Sequence, residues 1–204
     1  MSAPAVRPGH VAHGRLAPAR PADPAAPATV ILIAAGMSAL LLRPELAALP
    51  ATSRVAALAG VSVALLAACL LATVVGDGPR LLHPATGLAI GLAAVAMATV
   101  VAGPMVPMPF VRWALPLSLL TAVAEEALFR RVAYGWLTRW GVPVAIAGSA
   151  LLFALIHVPL YGIAVLPVDL GAGLLLGWQR WATGSWTVPA ATHATANLIA
   201  TVMR

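Results

Sequence analysis

Seven apolar runs divide this chain, at residues 28–48, 55–75, 85–103, 113–132, 143–160, 162–180 and 186–203. Each is close to the ~20 residues that carry an α-helix across the hydrocarbon layer of a bilayer. Lipid offers no water to satisfy backbone N–H and C=O groups, so runs of this kind are confined to helices that bond internally. The reading is an all-α fold: a polytopic membrane helix bundle of about seven transmembrane helices. Composition bears the same way. Only 9% of the residues are charged and the mean hydropathy is +0.96, whereas a soluble domain carries about 25% charged residues.

The ends of the runs set the organisation. Residues 1–27 are rich in Pro and Ala and lack hydrophobic periodicity, and are expected to form a disordered cytoplasmic tail. The first apolar run begins too far from the early charges for a signal peptide, so it is read as a retained helix. Residues 28–204 form one domain. Arg43-Pro44-Glu45 interrupts the first run; Gly78-Pro79, and Gly103-Pro104 with Pro107 and Pro109, separate later ones.

All twelve basic residues are Arg. With abundant Ala, this usage points to a GC-rich bacterial genome. A formal charge of +6 raises nucleic acid as a partner, but the Arg residues are scattered between apolar runs, so membrane topology accounts for them and no nucleic acid is expected. Arg7, Arg15, Arg20, Arg80, Arg130, Arg131, Arg139 and Arg180 fall on one side of the bundle; Arg43, Arg54, Arg112 and Arg204 fall on the other. The positive-inside rule then places the N-terminus in the cytoplasm of a bacterial plasma membrane, and an odd helix count places the C-terminus outside. Cys69, the lone cysteine, allows no intrachain disulfide and reads as a packed apolar residue. Two GxxxG patterns, Gly87–Gly91 and Gly173–Gly177, predict close helix packing within the bundle. Nothing in the pattern fixes an oligomeric state.

Ionisable residues inside membrane segments are costly and mark function by default. They occur at Glu125-Glu126 with Arg130, at His157, at Asp169, and at His193 with Asn197. Glu126 and Arg130 are four apart and share a helix face, so they can pair. Glu125 points roughly 100° away and is free to face something else, such as a proton-transfer partner. The bland alternative is that both carboxylates pair with Arg130 and Arg131. Phe153 and His157 share a face, as do His193 and Asn197. Taken singly, each is also explained by an interhelical hydrogen bond. Asp169 follows Pro167 and reads as a carboxylate near a helix start at the outer interface, with no evident partner.

The ordered set EExxxR (Glu125, Glu126, Arg130), FxxxH (Phe153, His157) and HxxxN (His193, Asn197) resembles the motifs of the CPBP family, also called Abi or CAAX-protease-like, which includes the type II CAAX prenyl endopeptidases. The stretch from Gly171 to Trp186 is similar to the family's linker into its last motif. The likeness spans residues 115–199. It implies an intramembrane endopeptidase acting on a membrane-associated peptide or protein, with membrane lipid as surroundings. Glu125 would match the glutamate that activates a water, Glu126 and Arg130 its supports, His157 a residue that holds or polarises the water, and His193 with Asn197 the stabilisers of the oxyanion.

The family is often termed a metalloprotease, so Zn²⁺ or another divalent metal on His157, His193 and Glu125 is one expectation. There is no HExxH, and a metal-free, glutamate-driven hydrolysis is equally consistent. Three rival classes were weighed. A serine protease would need a nucleophilic setting that Ser149 and Ser185 lack. A proton-coupled transporter would show inverted repeats. A non-catalytic scaffold or bacteriocin-immunity-type protein retaining the fold is the alternative that stands. One tension concerns depth: the helix directions put His157 nearer the outer face than Glu125 or His193.

Overall fold

The computed structural model describes residues 26–74, 78, 80–102 and 113–202, and among them there is no β-strand. The expected tail at 1–27 therefore lies almost wholly outside the described residues, as do the breaks at Gly103, Pro104, Pro107 and Pro109 and the charges of Arg7, Arg15, Arg20, Arg112 and Arg204. Helix α1 (Ala26–Leu41) is followed by the short α2 (Arg43–Ala47), then α3 (Ala51–Leu71) and α4 (Pro84–Ala102). Helix α5 (Ala114–Glu126) continues through a π-helical stretch (Ala127–Ala133) into α6 (Tyr134–Leu137). Then come α7 (Val142–Leu155), α8 (Val158–Tyr161), α9 (Leu166–Thr183) and α10 (Thr187–Val202). Four helical stretches are long and apolar enough to cross a membrane: Pro27–Ala47, Ala51–Leu71, Pro84–Val101 and Val142–Tyr161.

The distribution of side chains is that of a protein turned inside out. Leu71, Val100, Val101 and Val168 are at least 70% exposed, while Arg130, Glu126 and Gln179 are fully buried. In water the first set would be costly and the second would gain nothing by burial. In a bilayer both follow at once, because apolar side chains meet lipid and polar ones must find partners inside. The chain is a helical membrane protein.

Small residues set the closest helix contacts. A Cβ on Gly173 of α9 would lie 2.9 Å from the Ala150 Cα of α7, and one on Gly177 would sit 3.3 Å from the Ile146 side chain. The Gly87–Gly91 pair does the same for α4: a Cβ on Gly91 would fall 2.2 Å from Gln179 Nε2, and one on Gly87 2.3 Å from the Thr183 methyl. Both patterns thus serve packing within the bundle, as van der Waals contact between small residues drives helix association in lipid. The space at Gly87 is filled by a polar link, because Gln179 Nε2 donates to the Gly87 carbonyl (2.8 Å) and to Thr192 Oγ1 (2.9 Å). One amide therefore ties α9 to α4 and α10.

Two cations cap backbone. Arg131 donates to the carbonyls of Cys69, Leu70 and Ala72, at the C-terminal end of α3, where unsatisfied carbonyls and the negative end of the helix dipole favour positive charge. Arg180 donates to the carbonyls of Arg130 and Gly184. Gly184 ends α9 with φ +68°, a left-handed conformation that glycine adopts at no steric cost. The bland pairing of both carboxylates with Arg131 does not occur, since Arg131 is spent on α3.

Candidate functional site

Glu125 and Glu126 sit where α5 passes into the π-helical stretch, and both are buried, at 2% and 0% exposure. A π-turn inserts one residue into the helical ladder, and such bulges recur at functional sites because they re-aim side chains. Glu126 reaches Arg130 as the spacing predicted, with Oε2 3.3 Å from Nε. Arg130 is held further by the Gly173 carbonyl (3.2 Å) and lies over the Phe153 ring, 5.1 Å from its centroid. Glu125 turns the other way, into a cavity of ≈ 270 Å³.

The two histidines arrive from separate helices. Helix α7 stops at Leu155, before Pro159 of α8, a residue that brings no N–H and disfavours helix at the position before it. There the His157 N–H turns to the Ala154 carbonyl (3.2 Å). Its Nδ1 donates to the Phe153 carbonyl at 2.8 Å, which leaves Nε2 as the free nitrogen, 3.8 Å from Glu125 Oε2. His193, on the second turn of α10, donates from Nδ1 to Glu126 Oε1 at 3.1 Å. Its Nε2 lies 4.0 Å from the same Glu125 Oε2. Each imidazole is thus anchored through Nδ1 and presents Nε2 to one carboxylate oxygen. The Phe153 ring lies between them, with centroids 4.7 Å from His157 and 5.4 Å from His193.

Asn197, one turn beyond His193, lines the same cavity and donates to the Ser118 carbonyl at 3.4 Å. Glu125, His157, His193 and Asn197 therefore share one cavity, and Glu126 and Arg130 stand directly behind it. The depth conflict read from helix directions does not arise. His157 falls in the break after α7 rather than within a straight helix, and it meets Glu125 there.

Two residues join the site that sequence reading left out. Asp169, which seemed to have no partner, places Oδ2 3.5 Å from His157 Nδ1. It does begin a helix, in the first turn of α9, but that turn packs beside the α7–α8 break. Arg43, read only as an interruption of the first apolar run, pairs through Nη1 with Glu125 Oε1. The signal for both was present, since each is an ionisable residue in an apolar run; the partner was what spacing could not supply.

The expectation of a divalent metal on His157, His193 and Glu125 meets this geometry poorly. Among the described residues no three His, Cys, Asp or Glu side chains close into a group that could hold a metal ion. A cation, the Arg43 guanidinium, already occupies Oε1 of Glu125. In this arrangement the residues do not fit a resident metal, and the mechanism below uses none.

The comparisons with known proteins agree with the motif reading. No curated protein and no solved structure matches the chain. A family profile does: Type II CAAX prenyl endopeptidase Rce1-like, over residues 107–199. That span contains Glu125, Glu126, Arg130, His157, Asp169, His193 and Asn197, but not Arg43. Through residues 107–199 the chain belongs to the Rce1-like group of the CPBP, or CAAX-protease-like, family.

Proposed function

We propose that this protein is an intramembrane endopeptidase that hydrolyses a peptide bond of a membrane-associated substrate with a water activated by Glu125. The observation that carries the reading is the convergence of two imidazole Nε2 atoms on one oxygen of a buried carboxylate, at 3.8 and 4.0 Å. Those separations leave room for a water between the three groups, each within one hydrogen bond of it.

In this reading Glu125 takes a proton as the water oxygen attacks the carbonyl carbon. His157 orients the water through Nε2. The negative charge that develops on the carbonyl oxygen is met by His193 and Asn197; an imidazolium on His193, flanked by two carboxylates, donates from both nitrogens. Glu125 then passes its proton to the leaving amine as the C–N bond breaks. Glu126 and Arg130 hold His193 and the helix rather than touch substrate. Seven crossings with the N-terminus in the cytoplasm of a bacterial plasma membrane complete the reading. Membership of a protease family supports it.

The test is purified protein, reconstituted in vesicles with a panel of membrane-anchored peptides. Cleavage is expected, with two products at a defined bond. Failure to cleave any member of a broad panel would favour the non-catalytic scaffold.

A further inference from the structure

Arg43 stands outside the segment matched by the family profile, yet its guanidinium forms one wall of the cavity. Its Nε is fixed by the Leu40 carbonyl at 3.1 Å, at the break between α1 and α2. Its Nη1 pairs with Glu125. Its Nη2 is buried and has no hydrogen-bond partner among the described residues. Burying an unspent donor of a charged group carries a desolvation cost, so a guanidinium left this way is poised for an acceptor. The planar fork matches a carboxylate, which can take two parallel N–H bonds. Ser118, Thr121 and Asn197 line the same cavity. At ≈ 270 Å³ its volume is at the low end for small-ligand pockets, which suits the end of a peptide better than a continuing chain.

We propose that Arg43 is a carboxylate-recognition residue: it binds the free C-terminal carboxylate of a short peptide stretch and exchanges Glu125 for it. Occupation of the cavity then releases the carboxylate that the guanidinium otherwise holds. A substrate that ends just beyond the scissile bond frees the base, whereas one that continues leaves Glu125 paired and a weak proton acceptor. The ligand's identity as a peptide end rests on the proteolytic reading above. The carboxylate binding does not.

The experiment measures binding without turnover. Full-length protein in detergent is titrated calorimetrically with an N-acetylated apolar dipeptide, as the free acid or the C-terminal amide. A charge-assisted bond pair predicts a preference for the acid on the order of 10-fold in wild type. Arg43→Gln should bind acid and amide alike. Arg43→Lys, which keeps the charge but not the fork, should fall between. Glu125→Gln removes the resident competitor and should bind the acid on the order of 10-fold more tightly than wild type. A medium-chain fatty acid carries the same carboxylate without peptide groups and should bind less tightly than the dipeptide acid. Equal binding of acid and amide by wild type, or no gain in Glu125→Gln, overturns the proposal; tighter binding of the fatty acid overturns the peptide assignment. Carboxylate preference without cleavage of any substrate sinks the hydrolytic reading alone, and cleavage without carboxylate preference sinks this one alone.

Discussion

Glu126 Oε1 accepts a hydrogen bond from His193 Nδ1 at 3.1 Å, while its other oxygen faces Arg130 at 3.3 Å. The carboxylate that spacing assigned to the fold is therefore also the group that orients a site imidazole. Glu126→Gln keeps the shape but leaves Arg130 with an unbalanced buried charge. Removing one partner of a buried ion pair costs about 3 kcal/mol or more. Thermal denaturation in detergent should show that loss, and any folded fraction should cleave more slowly because His193 is no longer fixed. A variant as stable as wild type would show that Arg130 does not depend on this pair.

Asp169 and His157 make a second such relationship, at 3.5 Å. Asp169 does not reach the cavity wall, so its effect runs through the imidazole, as outer partners do for orienting histidines generally. Asp169→Asn is expected to lower kcat on the order of 10-fold with KM and melting temperature little changed. An equal loss in stability would make Asp169 a packing residue instead.

Seven apolar runs, the pairing of Glu126 with Arg130 and the packing role of both GxxxG patterns were all legible in the sequence, because each rests on a local period that helices impose. The site's closure was not. That Arg43 meets Glu125 and that Asp169 meets His157 depend on which helices are neighbours, and apolar runs of similar length carry no information about that. The π-helical stretch at Ala127–Ala133 was equally invisible: its residues are ordinary helix formers, and the extra residue per turn shows only in the backbone. The stop of α7 at Leu155 was half-visible in Pro159, but its consequence, a carbonyl of Phe153 left to anchor His157, needed the coordinates.

The glycine contacts separate packing from mere composition. Gly173→Leu drives a side chain into the Ala150 backbone, and overpacking of this kind costs about 1–3 kcal/mol or more. Gly171→Leu meets nothing within 4 Å and should be tolerated. Comparing the two melting curves checks the α7–α9 interface, and equal destabilisation would contradict it.

Arg43 on Glu125 bears on metal dependence. With a guanidinium at Oε1, cleavage should survive dialysis against a strong chelator within about twofold, a rate change well under 1 kcal/mol. Loss of activity restored by added Zn²⁺ would show that Arg43 yields its place to an ion.

The central claim is that Glu125 is the general base. Glu125→Gln retains size and hydrogen-bonding reach but cannot take the proton. The direct measurement is the rate of cleavage of one reconstituted membrane substrate by wild type and by Glu125→Gln, with melting temperatures recorded alongside. The account predicts a folded, membrane-inserted variant slower by a factor on the order of 10² or more, the scale of a lost general base. Equal rates from two equally folded proteins would contradict it.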